Sequence, residues 1–190
     1  MLFISLGSNC SISYQLKKLN LKNKSYPFDW CKTSMNQLIS VLGNDFIDYN
    51  ESLSLYKFSE LHHNFITNDK YSLILKNNYN ITFAHELGDI NNLDNYKEKI
   101  KRRIDRFKNI NNSKIIFIRI ELNIIKENYK DKIIKLCEVL NKYSNNYILK
   151  IIINSSIDFD DLPHNVIIYK YDEFDNDWQM NKIDWNKIFI

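Results

Sequence analysis

Two kinds of apolar rhythm divide the chain. Met1–Leu6, Lys114–Ile120, Tyr147–Ile153 and Val166–Tyr171 are dominated by branched and aromatic residues, as strands buried on both faces are. Between them the period changes to that of a helix. Ile12, Leu16 and Leu19 fall at i, i+4 and i+7. Tyr96, Ile100, Ile104 and Phe107 mark one face of a helix over Leu93–Ile110, and Tyr129, Ile133, Leu136 and Leu140 do the same over Glu127–Tyr143. Ser34–Leu42 predicts a further helix, opened by Thr33 or Ser34 and stopped at Gly43-Asn44, and Ile183–Phe189 a short last one. Tyr71–Leu75 and Ile81–His85, separated by Asn77-Asn78-Tyr79-Asn80, predict two strands joined as a hairpin. Residues 45–69 are aromatic and polar without a period. Apolar strands alternating with amphipathic helices imply α/β architecture. The expected fold is a three-layer sandwich with a mainly parallel, Rossmann-like sheet, an irregular insertion around residues 45–70, and a single domain over 1–190.

That topology gives the chemistry an address. In open parallel sheets ligands bind beyond the carboxyl ends of the strands. If the strands are parallel, those ends carry Gly7-Ser8-Asn9-Cys10, His85-Glu86, Arg119-Ile120-Glu121, Asn154-Ser155-Ser156 and Asp172-Glu173, all on one edge. Cys10 stands out within this set. Gly7 permits a sharp exit from the first strand, Ser8 or Asn9 can cap the helix that follows, and Cys10 then sits in its first turn. Unpaired N–H groups and the positive end of the helix dipole stabilise a thiolate there. A small apolar filler beneath a turn would use the same residue. As a nucleophile Cys10 needs a base, and His85, at a strand end with Glu86 and Asp89 nearby, is better placed for that than His62, His63 or His164. Asp29, between Phe28 and Trp30, could orient a histidine, cap the helix that follows or anchor its own turn, and capping is the leading expectation. Arg119 ends an otherwise apolar strand, so it must find a partner or a ligand, and Glu121 is near. The run Arg102, Arg103 and Arg106 reads as a solvated helix face, while Cys31 and Cys137 read as structural thiols.

Composition narrows the setting. Hydrophobic residues make up 44% of the 190, which supports a sizeable core. A net charge of +3 from 26 basic and 23 acidic side chains speaks against nucleic acid as the partner. Three cysteines with no Cys-x-x-Cys pair fit neither a disulfide framework nor a zinc site, so no metal is expected. No cofactor is expected either, and Gly-x-Gly-x-x-Gly is absent. With no apolar run of membrane-spanning length and no leader-like start, the expectation is a reduced, soluble, cytoplasmic protein, in the host cytoplasm if the chain is viral. It would act on a small-molecule or peptide substrate, in an oligomeric state left open.

Ser5-Leu6-Gly7-Ser8-Asn9-Cys10, Tyr14-Gln15-Leu16-Lys17-Lys18, Ser25-Tyr26-Pro27-Phe28-Asp29-Trp30, Phe83-Ala84-His85-Glu86, Arg102-Arg103-Ile104-Asp105-Arg106-Phe107 and Ile116-Phe117-Ile118-Arg119 occur here in that order. This combination resembles a family of unknown function described as "putative papain-like cysteine peptidases", found in bacteria and large DNA viruses. The resemblance spans roughly residues 1–120, is expected to extend over the whole chain, and implies Cys10 as nucleophile and His85 as base. In plan, strand, Gly-Ser-Asn-Cys turn and helix are also similar to the SGNH hydrolases, whose nucleophile follows the first strand. Ser8 then competes with Cys10 as an esterase nucleophile, although no Asp-x-x-His closes the chain. The leading expectation is a cysteine-dependent hydrolase or acyl transferase. In it Cys10 and His85 react, Asn9 and the helix N–H groups meet the oxyanion, and Asp29 or Glu86 orients the histidine. The alternative is a non-catalytic Rossmann-like domain holding a nucleotide or sugar phosphate with Gly7, Ser8 and Arg119. Glu121, Asn154 and Ser155 line the same edge in either case.

Overall fold

The computed structural model describes residues 1–57, 73–83, 93–110, 114–122, 124, 128–153, 157–171 and 177–189. Along the chain these form β1 (Leu2–Ser5), α1 (Ser11–Lys18), β2 (Cys31–Lys32), α2 (Met35–Gly43), β3 (Ser54–Lys57), β4 (Leu73–Lys76) and β5 (Thr82–Phe83). There follow α3 (Leu93–Lys108), β6 (Ile115–Glu121), α4 (Tyr129–Leu140), β7 (Tyr147–Ile153), β8 (Val166–Lys170) and α5 (Trp185–Phe189).

Four strands make a sheet in the order β1-β6-β7-β8, every neighbouring pair parallel. Successive side chains of a strand point to opposite faces, and here both faces are covered. Ile4, Ile115, Phe117, Leu149 and Ile151 join one core with residues of α2, α3 and α4. Phe3, Ile116, Ile118, Ile120 and Ile152 join a second with Ile12 and Leu16 of α1 and Trp185, Ile188 and Phe189 of α5. This is the expected Rossmann-like sandwich, and it explains why β6 and β7 are apolar at nearly every position. Lys150 is the charged exception in β7. It is buried, and its ammonium donates to the Ile188 carbonyl at 2.6 Å, closing the carboxyl end of α5.

Helix α2 begins as its sequence asks. Ser34 accepts from the Gln37 N–H while the Gln37 side chain accepts from the Ser34 N–H, a reciprocal capping box. The predicted hairpin is present as β4 and β5, but it belongs elsewhere than expected. It forms a separate antiparallel sheet in the order β2-β5-β4-β3, whose outer strands β2 and β3 the sequence pattern did not show. The strand that leads toward His85 is therefore not part of the parallel sheet. β5 instead pairs Phe83 with Cys31 and Thr82 with Lys32. The basic helix face is also corrected: Arg103 is buried in α3, and the Arg106 guanidinium donates to the Ser25 carbonyl. Only Arg102 of the three is exposed.

Candidate active site at the first strand-to-helix turn

The turn after β1 is built by two successive residues in the left-handed region, Gly7 at φ 76° and Ser8 at φ 79°. Glycine adopts this backbone without strain, whereas serine does so at a cost of roughly 1–2 kcal/mol. The Leu6 N–H still donates to the Ile118 carbonyl at 2.9 Å, so the chain leaves the sheet only after Leu6. Gly7 is buried beneath the second sheet. A Cβ there would meet Thr33 Cγ2 and stand 3.3 Å from Cys31 Sγ. The close approach, as much as the φ angle, calls for glycine.

Asn9, just before α1, turns the chain into the helix: its Oδ1 accepts from the Ser11 N–H at 3.1 Å and from the Ser11 hydroxyl. Cys10 occupies the N-cap position itself rather than the first turn, and its carbonyl accepts from the Tyr14 N–H at 3.0 Å. The helix has no acidic residue in its first turn, so no side chain there offsets the positive end of its dipole at Cys10. Cys10 is half-buried, whereas Cys31 and Cys137 are buried, and none of the three is in a disulfide. Burial pushes the Cys137 thiol up from its usual range, and Cys31 Sγ donates to the Phe28 carbonyl at 3.2 Å.

The segment opposite α1 hangs on Asp29. This fully buried carboxylate accepts from the Ser13 hydroxyl at 2.9 Å through one oxygen. Through the other it accepts from the Tyr26 N–H at 2.6 Å and pairs with Lys22. Both oxygens are engaged in fastening residues 22–29 to α1. Asp29 therefore anchors its turn and does not cap the following helix, a role that Ser34 fills; Ser13 and Lys22 are partners that no sequence spacing revealed. Beyond it, Trp30 sits at φ 60°, a second strained residue beside the turn.

Arg119 is fully buried and each of its three nitrogens donates to the protein: Nη1 to the Leu6 carbonyl at 2.8 Å, Nη2 to the Thr33 carbonyl at 2.8 Å, and Nε to Glu121. One guanidinium thus joins the end of β1, the strand β6 and the approach to α2. The sequence expectation that Arg119 must find a partner is met by protein groups. Its position makes it the clamp of the Gly7 turn, and Glu121, half-buried at the end of β6, is its counter-ion.

Gly7, Ser8, Asn9, Cys10, Arg119 and Glu121 therefore gather at one place, the carboxyl edge of β1 and β6. His85, Glu86, Asn154 and Ser155 lie outside the described residues, as do His62 and His63. Among the described residues no group of three or more His, Cys, Asp or Glu is placed to hold a metal ion, and no helix is long and apolar enough to cross a membrane.

Comparison with known proteins decides the family. Residues 1–160 match the family described as "Putative papain-like cysteine peptidase". The chain belongs to this family. It is also 33% identical over 217 aligned residues to the "Uncharacterized protein R408" of Acanthamoeba polyphaga mimivirus, covering 100% of this chain and 97% of the viral protein. No solved structure matches. The family match includes every segment that carried the resemblance, from the Gly7–Cys10 turn to Arg119.

Proposed function

We propose that the protein is a cysteine-dependent hydrolase or acyl transferase with Cys10 as its nucleophile. One observation carries this reading: of three cysteines, only Cys10 is partly open, and it occupies the N-cap position of a helix at the carboxyl edge of a parallel sheet. The family description points to the same chemistry.

In the proposed reaction the Cys10 thiolate attacks an acyl carbonyl. The sulfur–carbon bond forms and the carbonyl π pair moves to oxygen, where helix N–H groups and the Asn9 amide stabilise it. The bond to the leaving group then breaks, and the leaving amine or thiol takes a proton from His85. Water or an acceptor amine, giving its proton to His85, releases the acyl group from sulfur. Glu86 is the carboxylate proposed to orient His85, while Asp29 supports the site from beneath through Ser13, Tyr26 and Lys22. The pairing of Phe83, two residues before His85, with Cys31, whose sulfur lies beside Gly7, supports His85 as the base.

The test is competitive labelling with a broad cysteine electrophile at neutral pH, mapped by mass spectrometry. Cys10 should react well ahead of Cys31 and Cys137, and His85→Ala should slow it while leaving the fold intact by circular dichroism. Equal or slower labelling of Cys10 relative to Cys137 would overturn the reading.

A further inference from the structure

The Tyr129 hydroxyl is the feature that the proposed reaction does not use. Tyr129 opens α4, is 4% exposed, and its hydroxyl finds no hydrogen-bond partner among the described residues. A buried hydroxyl left without a partner is uncommon, because its desolvation goes uncompensated. Its ring lies against Phe159, with centroids 5.7 Å apart.

Among the described residues, β6 is one of the elements that share a core with Tyr129. Alternation along that strand sends Ile115, Phe117, Arg119 and Glu121 to one face, and Ile115, Phe117 and Tyr129 share the core on that face. Burial raises the pKa of the phenol; the Glu121 carboxylate adds to the rise and Arg119 opposes it, so the hydroxyl lies within the field of both and stays a proton donor. Glu121 meets Arg119 through Oε1, and its side chain keeps 13% of its surface open. In register, Ser5 lies beside Ile118, which sets Glu121 three positions further on, level with the start of the Gly7–Cys10 turn.

Such a site selects its ligand by charge and by hydrogen-bond sense. The Arg119 and Glu121 charges cancel, which disfavours a strongly ionic group. A phenol donates one proton and a carboxylate accepts one, which suits a neutral group presenting both C=O and N–H. We propose that Glu121 and Tyr129 form a subsite for an amide unit of the acyl substrate, the carboxylate accepting its N–H and the hydroxyl donating to its C=O. This deepens the hydrolase reading and rests on it: the substrate is a peptide or another amide-bearing acyl compound, held a short distance from Cys10.

The experiment compares two probes with the same reactive carbon, acetyl-dialanyl chloromethyl ketone, which carries backbone amides, and chloroacetone, which carries none. Second-order labelling rates at Cys10 are measured for the wild type and for Tyr129→Phe. Loss of one neutral hydrogen bond should slow the dipeptidyl probe about three- to tenfold and leave chloroacetone unchanged. Thermal melting of Tyr129→Phe should match or exceed that of the wild type, since nothing among the described residues depends on the hydroxyl. If the two probes respond identically to Tyr129→Phe, the amide subsite is wrong and the nucleophile stands. If Cys10 reacts with neither probe in the wild type, the hydrolase reading fails and the subsite with it.

Discussion

Replacing Gly7 by alanine tests whether the turn is built as described. Two separate costs apply. The backbone at φ 76° is hostile to any L side chain, worth roughly 1–2 kcal/mol. The new methyl would also fall far inside the 3.0 Å separation that real Cβ atoms keep from a neighbour, the neighbour being Thr33 Cγ2. Thr33 has little freedom to give way. It is 3% exposed, its hydroxyl donates to the Ser34 carbonyl and its own carbonyl holds Arg119. Overpacking of this kind adds roughly 1–3 kcal/mol. The sum, about 2–5 kcal/mol, is a large fraction of the roughly 5–15 kcal/mol that stabilises an ordinary domain. In a thermal melt it corresponds to a drop on the order of 4–20 °C.

The two costs separate in a double-mutant cycle. Thr33→Ser keeps the hydroxyl and removes the obstructing methyl, at about 0.5–1.5 kcal/mol by itself. In the double variant the overlap disappears and the φ penalty stays, so Gly7→Ala with Thr33→Ser should be more stable than Gly7→Ala alone. The favourable coupling is about 1–3 kcal/mol, read from urea titrations of all four proteins. Simple addition of the two single costs would refute the packing argument and leave only the backbone term.

Other parts of the site make comparably sharp predictions. Arg119→Met should lose about 3–5 kcal/mol in urea unfolding, because the Leu6 and Thr33 carbonyls and Glu121 lose their common donor. Arg119→Lys should recover less than half of that, since one ammonium cannot match the planar fork; full recovery would show that charge alone matters. Asp29→Ala should cost about 3–5 kcal/mol by leaving the buried Lys22 ammonium without its carboxylate, and adding Lys22→Met should restore part of the loss. If the second substitution only deepens the loss, the pair is not the source of the effect. At high pH the tyrosines should dominate. Tyr49, Tyr143 and Tyr147 all have pKa values raised above 10.0, chiefly by burial. Their unfolded forms therefore ionise first, so the stability they contribute is complete below pH 10 and is lost as pH rises beyond it. Tyrosinate absorbance should accordingly rise together with loss of helical circular dichroism; ionisation of these three without unfolding would contradict their burial.

How far the sequence could be read depends on the range of the interactions. The parallel sheet was legible because a strand covered on both faces must be apolar throughout, and Ile115–Ile118 announce this without reference to any partner. Arg103 was legible in principle. It falls three residues after Ile100 and four before Phe107, on the buried stripe, but its charge outweighed its spacing in the reading of that helix. β2 could not be found this way. Two residues have no period, and Cys31 and Lys32 are a strand only because Thr82 and Phe83 lie beside them. The same limit applies to the site. Cys10 announced itself through a local pattern of strand, turn and helix, and the structure moved it by a single position, from the first turn to the N-cap.

What holds Cys10 in place comes from afar. Arg119 reaches Leu6 across 113 residues and Thr33 across 86, and Asp29 reaches Ser13 across 16. An arginine at the end of an apolar strand signals that some acceptor must exist, and an aspartate between aromatics signals the same for a donor. Neither spacing identifies the other party. Both charges end as clamps on either side of the turn, with their hydrogen-bonding atoms engaged inward. On the proposed reading, Cys10, the Asn9 amide, Glu121 and Tyr129 are then the described groups through which this edge of the sheet would meet a substrate.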